Sequence, residues 1–137
     1  MRSKLLILLS ACLLVVTGCD ENPPLGPTVP LGREFTLAPG EAALVEDASL
    51  QVQFLSVSGD SRCPADAVCI QGGDALVHVR VTNGASAEFV LHTGDLSRAS
   101  VSHAGVEIEL VQLQPYPFSS RTIEPVEYRA TLKVTRL

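Results

Sequence analysis

The chain has 137 residues, of which 15 are acidic and 10 basic; 46% are apolar, four are cysteine and none is tryptophan. A formal charge of −5 disfavours nucleic-acid binding through a basic patch and electrostatic attachment to anionic lipid. The length suits one domain with a single core.

Arg2 and Lys4 open the chain with no acid nearby, and Leu5 to Val16 is apolar apart from Ser10. A bilayer-spanning helix needs ~20 apolar residues, so this shorter run reads as the apolar centre of a secretory signal. The box that follows, Val16-Thr17-Gly18-Cys19, resembles the lipobox of bacterial lipoprotein precursors. That resemblance implies a diacylglycerol on the Cys19 thiol, cleavage after Gly18 and acylation of the new amino end. Residues 1–18 are thus expected to be a signal peptide. The partners this implies are the membrane, through the N-terminal lipid, and an envelope protein or other surface ligand. The domain is expected in the periplasm or outside the cell. Asp20 fits the inner-membrane retention pattern of enterobacterial lipoproteins, but the choice of membrane stays open. Removing residues 1–18 takes away Arg2 and Lys4 and no acids, leaving a formal charge of −7.

Four prolines, Pro23, Pro24, Pro27 and Pro30, make residues 19–32 read as a semi-extended tether. Residues 33–137 then form the domain. Strands bury alternate side chains, and period two recurs through it. Phe35-Thr36-Leu37 and Ala42 to Val45 are short candidates. Leu50, Val52 and Phe54 alternate, then Leu55 and Val57 switch phase, which predicts a bulge near Phe54–Leu55. Ala75, Val77, Val79 and Val81 alternate, as do Val106, Ile108 and Leu110 against Glu107 and Glu109. The last segment puts Val126, Tyr128, Ala130, Leu132 and Val134 on one face. No sustained helical stripe appears.

Asn83-Gly84 signals a hairpin. Directly paired residues share a face, so a three-residue loop, Asn83-Gly84-Ala85, is required to set Val79 opposite Phe89, Val77 opposite Leu91 and Arg80 opposite Glu88. A four-residue loop over Ser102 to Gly105 is expected to pair Val101 with Val106. The expected fold is all-β, a small antiparallel β-sandwich or barrel of seven to eight strands.

Cys12 leaves with the signal and Cys19 carries lipid, so Cys63 and Cys69 are the remaining thiols, in an exported domain where disulfides persist. A bridge between them closes a seven-residue ring. Two alternatives stand beside it: a redox pair, against which five intervening residues count, and a structural zinc site, which lacks two further ligands nearby. Asp60-Ser61-Arg62-Cys63-Pro64, then Cys69, then Gly73-Asp74-Ala75, resembles a signature of small uncharacterised bacterial lipoproteins. Leu113-Gln114-Pro115-Tyr116-Pro117 resembles a second stretch they share, whereas Gln71 stands where many relatives have tryptophan. The resemblance implies a lipid-anchored β-domain with a bridged loop, and no activity.

His78 and His92 are expected on the solvent face of one hairpin, and Asp74 or Glu88 could complete a metal site there. The plainer reading is two exposed polar residues. Asp60, Asp66 and Asp74 lie at or around the bridged loop without calcium-loop spacing, and Asp66 is expected to cap a turn inside the ring. No metal and no cofactor is assigned. Glu107 and Glu109 read as a solvated strand face, and no catalytic motif is present, so the chain reads as a non-enzyme. Pro115 and Pro117 exclude a central strand, and Tyr116 and Phe118 are expected to cover one end of the core, or else to form a contact patch.

Three functions follow. The first is an envelope binding or scaffold module whose loop residues include Arg62, Asp66, Tyr116 and Phe118. The second is a protease inhibitor presenting the Cys63–Cys69 loop with Arg62 beside it. The third is a metal-dependent hydrolase using His78 and His92.

Overall fold

A computed structural model describes residues 26–137. The expected signal peptide, Cys19 and half of the expected tether lie outside the described residues. Nine strands form two sheets: β1 (Thr28–Val29), β2 (Glu34–Leu37), β3 (Ala42–Val45), β4 (Leu50–Ser58), β5 (Leu76–Asn83), β6 (Ala85–His92), β7 (Ser100–His103), β8 (Val106–Gln114) and β9 (Arg129–Arg136). The first sheet has the order β1-β3-β4-β5-β6 and the second β2-β9-β8-β7. Neither closes on itself, so the domain is an all-β sandwich rather than a barrel. Among the described residues no helix is long and apolar enough to cross a membrane.

Alternation puts the core between the sheets. Leu50, Val52, Phe54, Val77, Val79 and Val81 from one sheet meet Leu37, Ile108, Leu132 and Val134 from the other, all essentially without solvent contact. The β4–β5 register slips between Phe54 and Ser56. The expected bulge therefore stands there and turns Val57 back toward the core, opposite Val77. The β5–β6 hairpin has the parity-derived register: Val79 faces Phe89, Val77 faces Leu91 and Arg80 faces Glu88, with Gly84 at φ 72° in the turn. Arg80 and Glu88 form a solvent-facing ion pair.

Three expectations are corrected, and one bulge is added. First, β7 and β8 turn over Ala104-Gly105 alone, pairing His103 with Val106 and Val101 with Ile108. Both turn residues have positive φ (51° and 79°), which an alanine disfavours by ~1–2 kcal/mol, so the alanine disguised a tight turn. His103 is thereby a strand residue packed against the Phe89 ring. Second, β9 starts at Arg129. Val126 lies in a short 3₁₀ turn, Pro125–Glu127, and is 75% exposed. Pro125 has no N–H to give a ladder, and that turn is closed by a reciprocal Glu124–Glu127 capping box. Third, β8 carries a second bulge, between Leu110 and Gln112. Fourth, the domain begins before residue 33. Thr28 and Val29 pair in parallel with Leu44 and Val45, and Val29 and Leu31 pack on the core. Proline content obscured this because a two-residue edge strand tolerates prolines on either side.

The sandwich has two unlike ends. One carries tight turns at Glu46–Ser49, Asn83–Ala85 and Ala104–Gly105. At the other, β4 runs into the Cys63–Cys69 ring, β6 into residues 93–99 and β8 into residues 115–128. If this register is correct, Val79→Asp should unfold the domain, losing more than ~4 kcal/mol by burying an unpaired charge. Arg80→Ala should cost under ~1 kcal/mol, since it removes an exposed pair and one long bond to Gln53. Thermal melts of the two variants check the assignment, and equal damage would reverse the faces.

Candidate functional site at the loop end

Cys63 and Cys69 are joined by a disulfide with Cα atoms 6.0 Å apart. The ring leans on the segment after β8: Ala65 N donates to Pro117 O at 2.9 Å. Asp66 does not cap a turn inside the ring. Its two oxygens accept from Ser119 N (2.8 Å) and Ser119 Oγ (2.6 Å), and these bonds hold its carboxyl below the usual range. Asp66 therefore pins the ring to residues 115–121.

Arg62 is the main correction in the site. It is not an exposed neighbour of the ring but is 8% exposed, the one charged residue in the buried set. Its guanidinium forms a two-pronged pair with Asp60, Nε to Oδ1 at 2.8 Å and Nη2 to Oδ2 at 2.7 Å. The remaining donors reach across to the second sheet, Nη1 to Leu113 O at 2.8 Å and Nη2 to Pro115 O at 3.0 Å. Tyr128 Oη donates to Asp60 Oδ2 at 2.9 Å, and the Tyr116 ring lies 5.6 Å from the guanidinium carbon. Burial raises the Asp60 carboxyl, but the bonds from Arg62 and Tyr128 outweigh it and hold it below its ordinary 3.8. Burial and the Asp60 carboxylate push the Tyr128 hydroxyl up to about 12.

The base of the ring is equally tied. Gly73 takes φ 71°, and a Cβ there would stand 1.7 Å from Ser61 O, so only glycine allows this approach. Asp74 accepts from Gly94 N (2.8 Å) and His92 Nδ1 (2.6 Å). Burial raises this carboxyl, and those donors outweigh it, leaving it lowered. Ala75 is fully buried and donates to Thr93 Oγ1 at 2.8 Å.

The histidines divide between unrelated partners. His78 Nε2 bonds Ser58 Oγ at 2.8 Å, whereas the carboxylate goes to His92. The serine–histidine and histidine–aspartate halves of a triad thus sit on different histidines. A relay needs both on one. Among the described residues no group of three or more His, Cys, Asp or Glu is placed to hold a metal.

Outside these ties, the loop end is apolar and open. Tyr116 and Phe118 are 50% and 52% exposed rather than folded over the core, because Leu113 and Tyr128 already close that end. Val68 and Ile70, which the sequence reading passed over, are 104% and 105% exposed. The signal was present: two aliphatic residues flank Cys69 in a segment whose ring is too short to bury them. Beside them a cleft of about 780 Å³ runs between Gln71, His92, Leu96, Gln112 and Tyr116. No protein-family model, curated protein or solved structure matches the chain.

The clamp makes a stability prediction with a sign in pH. Arg62→Ala should cost about 3 kcal/mol or more, since it strands a buried carboxylate. Opening the disulfide with Cys63→Ser and Cys69→Ser should cost ~2.4 kcal/mol at most for a ring of this size. Asp60 contributes stability above its unfolded value of 3.8, and this is lost as pH falls through the lower native value. Asp60→Asn should therefore be less stable at neutral pH and lose less on acidification below 3.8. Parallel acid denaturation curves of the two proteins would contradict the assignment.

Proposed function

We propose that the chain is an exported envelope lipoprotein, acylated on Cys19, whose β-domain is a non-catalytic binding module that makes its contacts with the loop end of the sandwich. The observation that carries the binding reading is the complete exposure of Val68, inside the covalently closed ring, and of Ile70, the residue that follows it. Exposed apolar side chains of this size grouped at one place are costly unless something covers them. The ring, its Asp66–Ser119 pin and the Arg62 clamp support the same reading. They hold the loops in one shape before any contact is made, which lowers the ordering cost of binding. The contact residues are then Val68, Ile70, Tyr116 and Phe118, with Asp66 and Arg62 as the residues that position them. The support for the anchor is the charged, apolar and lipobox sequence at residues 1–19.

The protease-inhibitor reading has the Cys63–Cys69 loop enter a cleft with Arg62 beside it, and it is less favoured because Arg62 is spent on Asp60, Leu113 and Pro115. The hydrolase reading required His78 and His92 to act together, and each has a separate partner.

Two measurements test the proposal. Mass spectrometry of the protein from envelopes should find the acyl chains on Cys19, and Cys19→Ala should accumulate uncleaved precursor. A photo-reactive side chain at position 70 should give a covalent adduct in intact envelopes, and one at position 85, on the opposite end, should give none. Unacylated mature protein would overturn the anchor. Equal or absent labelling at both positions would overturn the contact surface.

A further inference from the structure

Exposed apolar side chains are polarised along the sandwich. Val68, Ile70, Leu96, Tyr116, Phe118 and Val126 are all exposed, and all lie in connections at the loop end. Leu137 alone stands at the opposite end, whose turns are Glu46–Ser49, Asn83–Ala85 and Ala104–Gly105; Val90 and Val111 lie within strands. The acids at the loop end are bonded within the loops: Asp60 by Arg62, Asp66 by Ser119, Asp74 by His92 and Gly94, Asp95 by Ser97 and Arg98, Glu127 by Arg121, and Glu41 and Glu124 by the backbone N–H groups of Ala38 and Glu127.

The chain also approaches the domain from that end. β1 runs parallel to β3, and β3 runs antiparallel to β4. Following the chain backward from Thr28 therefore leads toward the end of β4 that carries the ring. Pro27 O accepts from Leu44 N at 3.0 Å, and Gly26 lies against Ala42, whose partner across β4 is Gln53. From Gln53 to the end of β4 at Ser58 is ~17 Å at strand rise. The seven residue steps from Gly26 back to Cys19 span ~25 Å at full extension. A lipid on Cys19 thus reaches less than ~10 Å past the strand ends, about the depth that the connecting loops themselves occupy.

We infer that the occupant of this surface is the phospholipid bilayer that holds the chain's own anchor. Val68 and Ile70 dip into the interfacial layer, and Tyr116 and Phe118 lie at headgroup level. This names the partner of the contact surface proposed above and rests on acylation of Cys19. The short reach confines the loop end against the bilayer and leaves no room for a protein layer between them. Aliphatic tips and aromatic rings flanking them suit the apolar-to-polar gradient of that interface. The bonded acids and the lack, among the described residues, of a free basic cluster match a zwitterionic surface rather than an anionic one. The domain then stands on its loop end, with the tight-turn end facing away from the membrane.

The absence of tryptophan makes a single-reporter test available. Full-length protein carrying Ile70→Trp, or Ala85→Trp as the far-end control, is expressed, purified in its processed form and reconstituted into phosphatidylcholine vesicles, with acylation of Cys19 checked by mass. The reporter at position 70 should shift to the blue, lose most of its emission to brominated lipid and resist aqueous acrylamide. The reporter at position 85 should do the reverse. If Cys19 is acylated and the reporter at position 70 remains open to acrylamide, bilayer docking is wrong while the anchor stands. If that reporter is shielded in native envelopes but not in pure lipid, the surface meets a protein and the inference is overturned. If Cys19 carries no lipid, the anchor falls and this inference with it.

Discussion

The loop end of this sandwich depends on one buried cation. Strand β4 ends at Ser58, and beyond it two backbone bonds join the arms of the connection to β5, Ser61 N to Asp74 O at 2.6 Å and Cys63 N to Gly72 O at 2.7 Å. Those bonds tie the connection to itself, and Arg62 ties it to the other sheet. Arg62 is paired in two places with Asp60 on its own loop, and it donates also to the carbonyls of Leu113, in β8, and of Pro115, just past the end of that strand. A planar guanidinium serves here because its donors diverge in a fixed fork, which a lysine cannot reproduce. Burying such a charge is unfavourable by itself. It is sustained because all three guanidinium nitrogens have acceptors, with Tyr128 on the far oxygen of Asp60 and the Tyr116 face beside the guanidinium.

This arrangement gives a physical task to particular residues of the stretch from Asp60 to Ala75. Asp60 and Arg62 form the clamp, Cys63 and Cys69 the ring, Gly73 the close approach to Ser61, Asp74 the tie to residues 92–94, and Ala75 the buried start of the next strand. The second stretch, Leu113 to Pro117, supplies the carbonyls that Arg62 requires and the one that accepts from Ala65. Two stretches some fifty residues apart in sequence (|i−j| of 51 for Arg62 and Leu113) are thus the two halves of one joint. Each of these residues has a structural task. The exposed side chains between them, Val68 and Ile70, have none in the domain itself.

Much of the fold was legible because each sheet has one wet face and one dry face. Period two located β4, β5, β8 and β9, and the change of phase at Leu55 located the bulge. Parity alone chose the odd loop at Asn83 over the even one. Legibility failed where backbone geometry rather than side-chain polarity decides. Ala104 in a left-handed conformation carries no turn signal. The bulge between Leu110 and Gln112 is silent because Val111 is apolar and exposed. Val126 fitted the alternation of β9 but belongs to a capped 3₁₀ turn. The site was legible only in part. The disulfide followed from which thiols remained. Arg62 was misread because a charged residue beside a loop is ordinarily at the surface, and its carbonyl partners are remote in sequence. Tyr116 and Phe118 were expected to cover the core, but Leu113 and Tyr128 already do so.

The account turns on Arg62 organising the loop end without being part of the sandwich core. Amide hydrogen exchange on an Arg62→Lys variant measures this directly, because it reads each segment separately. The account predicts faster exchange in residues 59–75 and in residues 113–121 together, with the central strands β4, β5, β8 and β9 unchanged below the global limit. Exchange that rises in only one of the two segments, or equally throughout the sheets, would contradict it.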